Sequence, residues 1–407
     1  MSFSENIFEF ANTNNIKNIE VCFVDMLGKS RVVVIPKSRL KVALKNGLKC
    51  DGSSVCFNKT TNNSDLNLVL DENSFYLLPN QNLLVFASTN SKFDARKKLK
   101  NLEKKFEREN MKICVGAELE FFMFENNAKD FGKQNKNCQS VQQYKLDSLS
   151  YFENDDGRCF DVLNSLVDFC DGKNIDIEAF HHECGKSQFE IDYKFDSPSK
   201  TADRVVYLKR LLSIFAQKNN LTVSFLPKPF KDECGSGMHT NISVFSGGEN
   251  LFYQKSDANK LSSFAYNFAN GIFRHIKPIC AFANPSNNSY DRLFAGSEVP
   301  QKVNLSKSDR TALIRIPKFT KNGARLEFRL PDISCNPYST FLAVLMAGFE
   351  NINFSENISM QIANQKNQNI SIEKFENDKN TEIPKNLDEA KLALKQDKLL
   401  SGARYVY

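Results

Sequence analysis

Apolar residues recur along this chain in two different periods, and the change between them divides it. Val21–Val24 and Val32–Ile35 are short apolar runs flanking Leu27-Gly28-Lys29, which predicts a hairpin. Polar loops follow, including Asn58–Asp65, and then a second strand region at Phe75–Leu78 and Leu83–Ala87. At Asp94, a favourable N-cap, the period lengthens to that of a basic helix with Leu99, Leu102 and Phe106 on one stripe. The boundary between a strand-rich domain (1–93) and a larger one (94–407) falls there. Beyond it helices and strands alternate. Helical stripes run through Phe160, Leu163, Val167 and Cys170, with Gly172 as the stop. Others run through Val205, Leu208, Leu212 and Phe215, and through Phe264, Phe268 and Ile272. Asn357–Asn386 is polar, rich in Asn and Lys, and expected to be a long loop.

Several predicted strands carry charge on one face. Side chains i and i+2 of a strand point the same way. Glu118 thus pairs with Glu120, and Gln188 and Glu190 with Asp192; a strand at Ile175–Glu183 precedes the latter. His239, Asn241 and Ser243 share a face opposite Met238, Thr240, Ile242 and Val244. Arg325, Glu327 and Arg329 share another, opposite Leu326, Phe328 and Leu330. One such strand is an ordinary solvated face. Several of them point instead to a polar cavity whose strands turn their apolar faces towards helices. Carboxylates gathered in a cavity repel one another and lose their charge unless cations bind. Five glutamates and one histidine favour Mg²⁺ or Mn²⁺ over Zn²⁺ with its thiolates. Arginines among them imply an anionic ligand, and metals with arginines around phosphate are the equipment of phosphoryl transfer.

Composition narrows the picture further. Hydrophobic residues make up 41% and charged residues 25% of the 407, as in folded globular proteins. The net charge of +6 is mild and spread out, and no basic run interleaved with aromatics marks a nucleic-acid surface. Eleven cysteines include no CxxC pair, and the opening Met-Ser-Phe-Ser-Glu-Asn is unlike a signal peptide, so reduced thiols and a cytoplasmic protein are expected. No apolar run approaches the roughly 20 residues a bilayer span needs.

Some motifs fail on inspection. Gly185-Lys186-Ser187 lacks the earlier glycine of a P-loop, where Phe180 stands. Gly235-Ser236-Gly237 has Thr240 in place of the third glycine of a dinucleotide fingerprint, and His182-Glu183 has Lys186 in place of the second histidine of a zincin. Cys184 beside two histidines lacks the geometry of an activated nucleophile, since neighbours in a turn rarely align.

Taken together, other motifs resemble the glutamine synthetase family. They are Asp51-Gly-Ser-Ser, Glu118-Leu-Glu120, His181-His-Glu183 with Gln188-Phe-Glu190, Phe225-Leu-Pro-Lys-Pro and Gly235-Ser-Gly-Met-His239. Asn284-Pro, Asn288-Ser-Tyr, Arg292-Leu, Arg310, Ile314-Arg315-Ile-Pro and Arg325-Leu-Glu327-Phe-Arg329 with Pro331-Asp332 complete the series, in family order from about residue 19 to Asp397. The resemblance implies an α+β chain: a small N-terminal β-grasp domain, then a catalytic domain with a curved antiparallel sheet flanked by helices. It implies a homo-oligomeric ring, a dodecamer or similar, with sites between subunits. One metal would be held by Glu120, Glu183 and Glu190, the other by Glu118, His239 and Glu327. ATP would meet Glu178, Asn241, Ser243, Arg315 and Arg325, with Arg310 facing the transferring phosphate. Arg292, Arg329 and the Gly235 backbone would hold glutamate. Asp51 from the adjacent subunit, Glu298 on a flap and Tyr151 would form the ammonium pocket. The implied reaction is ATP-dependent amidation of glutamate through a γ-glutamyl phosphate.

Five features depart from the family. Cys234 stands where an asparagine is usual, and Gly185-Lys186-Ser187 replaces a Gly-Pro-Gly turn. Asp291 replaces a basic residue of bacterial members, and Asn241 replaces their histidine, as in eukaryotic-type enzymes. The chain stops at Tyr407 without the customary helical extension, and no tyrosine between Tyr338 and Tyr405 matches the adenylylated one. Two alternatives follow: a sister ligase making a γ-glutamyl amide from a larger amine, and a catalytically silent structural oligomer.

Overall fold

The computed structural model describes residues 6–55, 62–125, 146–154, 157–173, 175–294, 298–366, 368 and 382–403. The chain begins with α1 (Ile7–Thr13), β1 (Asn18–Val24), β2 (Ser30–Pro36), α2 (Leu40–Asn46), β3 (Leu48–Asp51), β4 (Asp65–Leu77) and β5 (Leu83–Thr89). The strands form one sheet in the order β2-β1-β5-β4-β3. The expected hairpin is β1 with β2, Val21 opposite Val33. Its turn needs Gly28, whose φ of +80° would strain an L side chain. β1 runs parallel to β5, and this central pair buries Ile19, Val21, Leu84 and Phe86 completely. Residues 58–61 of the expected polar loop lie outside the described residues.

The larger part comprises α3 (Ala95–Arg108), β6 (Met111–Glu125), α4 (Arg158–Cys170), β7 (Ile177–His182), β8 (Gln188–Tyr193), α5 (Pro198–Lys218), β9 (Leu221–Ser224), β10 (Thr240–Ser246) and β11 (Glu249–Asn250). Then come α6 (Ser263–Arg274), α7 (Ile276–Ala283), α8 (Asn287–Leu293), β12 (Lys302–Ser306), β13 (Ala312–Arg315), β14 (Leu326–Phe328), α9 (Pro337–Gly348), α10 (Ile358–Lys366) and α11 (Leu387–Gln396). Asp94 caps α3 as expected, its carboxylate accepting from the Lys97 amide, and Leu99, Leu102 and Phe106 are buried. Asn357–Asn386 is not all loop. Its start is α10, because Ile358 and Ile362, four residues apart, reach the core and outweigh their polar neighbours. Residues 367 and 369–381 of that segment lie outside the described residues.

The second sheet runs β12-β13-β14-β10-β6-β8-β7, with β9 on β6 and β11 on β10. Every pair is antiparallel except β12 with β13. Its apolar face, including Leu119, Phe121, Ile191, Ile242 and Leu326, is buried, and α3 and α5 pack against β6. The other face is free to carry charge.

One buried ion cluster ties the two sheets together. Arg96 of α3 donates to Asp203 of α5 at 2.8 and 2.6 Å and to Asp71 of β4 at 2.7 Å. Ser74 of β4 and the Tyr338 hydroxyl of α9 also donate to Asp203. Because Asp203 is wholly buried, removing it leaves the Arg96 charge short of a partner in a low-dielectric setting. Asp203→Ala is expected to cost about 3–5 kcal/mol of unfolding free energy. Urea unfolding at an unchanged m value measures it, and a loss below about 1 kcal/mol would mean Asp71 alone compensates Arg96.

Candidate active site

The register of the second sheet assembles the site. Glu120 of β6 lies opposite Glu190 of β8, and Glu190 lies opposite His181 of β7. On the other flank Asn241 of β10 lies opposite Glu327 of β14, which in turn lies opposite Arg315 of β13. Acids from three strands, β6, β8 and β14, therefore meet on one face.

They line a cavity of about 280 Å³ together with Tyr151, Cys184, Cys234, Gly235, Arg292, Glu298, Arg310 and Arg329. Glu118, His239 and Glu327 offer ligand atoms within 4.8 Å of one another, the same trio named from the sequence. His239 Nδ1 is 3.1 Å from a Glu118 oxygen, and Asn241 Nδ2 donates to the other at 2.8 Å. Glu327 is fully buried and accepts from Arg315 Nε at 2.8 Å and Arg329 Nη1 at 2.6 Å. Glu120 accepts from the Gly237 amide at 2.6 Å. Glu120, Glu183 and Glu190 all line the cavity, but Glu190 lies in closest company with His181 and Asp192, again within 4.8 Å.

Charge in the cavity is uneven. Burial works against ionised Glu118, yet His239 and Asn241 outweigh it and hold that carboxyl down at about 2. Burial pushes Glu190 well up, and Glu120, Glu118, Asp192 and Glu183 add to the effect. Burial and then Glu120 raise Glu183; burial and then Glu118 lift Asp192 to about 6. This half of the cavity is short of positive charge. Oxygen donors in such number, with one imidazole per trio, fit Mg²⁺ or Mn²⁺.

Arg292 supplies positive charge without an acid bonded to it. It is 2% exposed and, among the described residues, donates only to the main-chain oxygens of Leu330 at 2.9 Å and Arg329 at 3.5 Å. Its Nε has no partner among the described residues, and burial lowers its pKa, as for a cation awaiting an anion. Gly235 and Gly237 permit this packing: a Cβ would come within 2.5 Å of Arg292 Cγ at the first and 2.7 Å of its Nη2 at the second. At the mouth, Arg310 donates to Glu298 at 3.2 Å. The Tyr151 hydroxyl, and then Glu298, keep the Arg310 guanidinium protonated against some burial. Glu298 holds a left-handed backbone, φ +67°, and its carbonyl accepts from Arg329 at 3.2 Å.

A second cavity of about 380 Å³ adjoins the first and shares Glu118 and Asp192 with it. Glu178, Asn241, Ser243 and Arg325 line it, with Gly116, Tyr193, Phe195 and Phe245. Arg325 Nε donates to Asn241 at 3.0 Å. Of the residues expected around nucleotide, Arg315 alone lines the first cavity instead, bound to Glu327. Asp51 lines neither cavity. It ends β3, exposed, with its carboxyl pulled down by hydrogen bonds from the Ser53 hydroxyl and amide and the Ser54 hydroxyl.

Sequence reasoning gave no role to Asp192, Gln188 or His181. The i, i+2 alternation had already set Asp192 beside Glu190, which was the available signal. Gln188 donates to the Gly235 carbonyl at 3.0 Å and accepts from the Gly185 amide at 3.0 Å, tying the two loops together. The aromatic walls of the second cavity carried no polar signature at all.

Comparison with known proteins agrees with this architecture. Residues 15–89 match the family described as glutamine synthetase, beta-Grasp domain, and residues 92–404 match glutamine synthetase, catalytic domain. The glutamine synthetase of Pyrococcus woesei is 33% identical over 99% of this chain and 89% of that protein. That of Methanosarcina mazei is 35% identical over 86% of this chain and 78% of its own. A solved structure titled apo GmaS without ligand superposes with a TM-score of 0.81 at 26% identity, covering 97% of this chain and 91% of that one. Plasmodium falciparum glutamine synthetase shares the fold, with a TM-score of 0.79 at 24% identity over 98% and 92%. Fold and site define a two-domain α+β ligase with a β-grasp domain ahead of its catalytic sheet. The chain belongs to the glutamine synthetase family, whose members depend on ATP and a divalent metal. No helix among the described residues is long and apolar enough to cross a membrane.

The raised carboxyls make a prediction about pH. Glu183, Glu190 and Asp192 hold protons more tightly folded than unfolded, so stability falls as pH rises through their folded values, about 6 for Asp192. A bound divalent cation replaces those protons. Glu103, lifted by burial to about 7, gives a similar loss that the metal leaves untouched, so the metal-induced difference is the quantity to read. Saturating Mn²⁺ should raise Tm several degrees more at pH 8 than at pH 5 in calorimetry. Equal gains at both pH values would contradict the charge deficit.

Proposed function

We propose that this protein uses ATP to join ammonia to the γ-carboxylate of glutamate, releasing glutamine, ADP and phosphate. The observation that carries the reading is the buried Arg292, bonded among the described residues only to carbonyls, in the same cavity as the six acid and imidazole ligands. A small anion held there has its far end among groups fit for cations. Glu120, Glu183 and Glu190 hold one Mg²⁺ or Mn²⁺, and Glu118, His239 and Glu327 the other. Such ions, when bound, neutralise phosphate oxygens and favour phosphoryl transfer.

The chain's own groups do the rest. Arg292 and Arg329 bind the amino-acid carboxylate, with the Gly235 backbone beside them. Glu178, Asn241, Ser243 and Arg325 line the adjoining cavity that takes ATP, and Arg315 stands between the cavities. A γ-carboxylate oxygen attacks the terminal phosphorus, ADP leaves, and Arg310 offsets charge on the phosphoryl group in flight. Asp51 of a neighbouring subunit, Glu298 and Tyr151 bind ammonium. Asp51 takes its proton, the free ammonia attacks the acyl carbon, and phosphate leaves. Glu298, bridged to Arg310, closes the mouth against water, which would otherwise hydrolyse the acyl phosphate.

Asp51, exposed and outside both cavities, motivates a shared site in a ring of identical subunits. Glu327→Ala and Asp51→Ala chains should each lack ATP turnover while remaining folded. Rings of verified mixed composition should regain part of it, through sites drawing one intact half from each chain. Mixed rings as inactive as either parent would rule out a shared site.

A second reading, a sister ligase using a larger amine, is favoured by Cys234, which is half-buried on the cavity wall where the family has asparagine. Glu298, Tyr151 and Asp51 oppose it, since close negative groups suit a small cation. Ammonium is therefore expected to be the best acceptor by kcat/KM, with methylamine-sized amines next. Phosphate release at fixed ATP and glutamate across an amine panel measures this. An alkylamine or diamine tenfold better than ammonium, about 1.4 kcal/mol, would establish the second reading.

A further inference from the structure

Asp332 has no part in the reaction above, yet it is a wholly buried acid with no basic side chain bonded to it among the described residues. Its Oδ1 accepts from the Ser334 amide at 2.9 Å and the Ser334 hydroxyl at 2.5 Å. Its Oδ2 accepts from Asn284 Nδ2 at 3.2 Å, and the Ser289 hydroxyl also bonds the carboxyl. Burial pushes this carboxyl up, but donors on both oxygens favour its ionised form. An ionised acid this deep needs a counter-charge.

Arg292 is that charge, held one step away. Asn284, also wholly buried, donates through the same Nδ2 to Asp332 and, at 3.1 Å, to the Leu330 carbonyl. Arg292 Nη1 donates to that same carbonyl at 2.9 Å. Carboxylate, amide, carbonyl and guanidinium thus form one connected set, and Ser289 and Arg292, at its two ends, both belong to α8. Burial disfavours the Arg292 cation, and Glu120 and then Asp332 act against that. Arg292, after the Ser334 hydroxyl, does the same for the Asp332 anion. The separation matters. A carboxylate bonded directly to Arg292 would occupy N–H groups that a ligand needs, whereas none at all would leave a buried guanidinium uncompensated. Held one step away, Asp332 eases the burial of Arg292 while Nε keeps no partner among the described residues.

We propose that Asp332 is a positioning residue for Arg292, holding its charge through Asn284 and the Leu330 carbonyl and so limiting how tightly Arg292 takes a ligand carboxylate. The inference rests on the reading of Arg292 as the holder of the amino-acid carboxylate. Loss of the Asp332 charge should then act in two opposite directions. It should destabilise the empty protein, and it should tighten carboxylate binding, because the ligand supplies the counter-charge that Asp332 no longer does.

Calorimetric titration of glutamate into the intact oligomer in Mn²⁺, with thermal unfolding of the glutamate-free oligomer, tests it. Asp332→Asn should lower the glutamate-free Tm and lower the Kd for glutamate about threefold or more. Its Tm gain from saturating glutamate should exceed that of wild type. Ser334→Ala, which keeps the charge, should lower Tm while leaving Kd within about twofold of wild type. A merely structural Asp332 would weaken glutamate binding together with stability in both variants, and an unchanged or higher Kd in Asp332→Asn would overturn the inference. Should Asp332→Asn yield no folded oligomer, combining it with Arg292→Gln should restore one, since both charges are then removed together. A double variant as unfolded as the single would overturn the pairing. Glutamate binding left unchanged by Arg292→Gln would instead defeat the carboxylate reading itself, and with it the effect on affinity, while the glutamate-free Tm values still report whether the two charges are paired.

Discussion

Crowding of carboxylates on one face of a sheet is the constraint the rest of this structure answers to. β6 has β8 on one side and β10 on the other, so its Glu118 and Glu120 are brought against Glu190 and His239 whatever else the chain does. Such a face cannot be packed, and it cannot be left dry and ionised without counter-charge. The opposite face therefore carries the whole burden of cohesion, with Leu119, Phe121, Ile191, Ile242 and Leu326 buried beneath the helices. The strong apolar stripes of α3 and α5 are a consequence of a sheet that can be covered on one side only.

The two flanks meet the constraint differently. On the β10–β14 flank the protein supplies its own positive groups: Arg315 and Arg329 clasp Glu327, and His239 with Asn241 holds Glu118 ionised. On the β7–β8 flank it does not, and Glu183, Glu190 and Asp192 all retain protons beyond their usual range. One flank is organised in advance, while the other depends on what binds. An ion on the first flank must share Glu327 with two guanidiniums, whereas ions on the second relieve repulsion outright.

How much of this was legible in the sequence follows from the same physics. Alternation at i and i+2 identified the strands that carry Glu118, Glu120, Glu190, Asp192 and Glu327, because a charged face opposite an apolar face is a local pattern, whereas β3, which ends at Asp51, was not among them. Asp94 was legible as a cap because capping is settled within three residues. Cross-strand partners were not legible: that Glu190 lies opposite both Glu120 and His181 depends on register, which no single segment encodes. The helix at Ile358–Lys366 was hidden for a related reason, since two isoleucines among polar residues become a core-facing pair only once there is a core to face. Arg292 was recognised through family resemblance, but the lack of an acid hydrogen-bonded to it among the described residues, which gives it meaning, belongs to three dimensions.

The shared wall of the two cavities constrains the order of events in the proposed reaction. The cavity proposed to take ATP is lined by Glu178, Asp192 and Glu118, and Arg325 is the one cationic side chain on its wall among the described residues. A triphosphate brings about four further negative charges. At separations of 4–6 Å in a partly desolvated site, each unscreened pair costs on the order of a few kcal/mol. Arg325 cannot offset that, and its Nε is already engaged with Asn241. In the proposed reaction, cations must therefore enter before the triphosphate or with it, since Glu118 and Asp192 belong to both cavities. In the proposed reaction glutamate is under no such restriction, because Arg292 would offer it a preformed, buried positive charge. In the proposed reaction, the acids that make the face unstable by itself are thus what makes nucleotide binding conditional on metal.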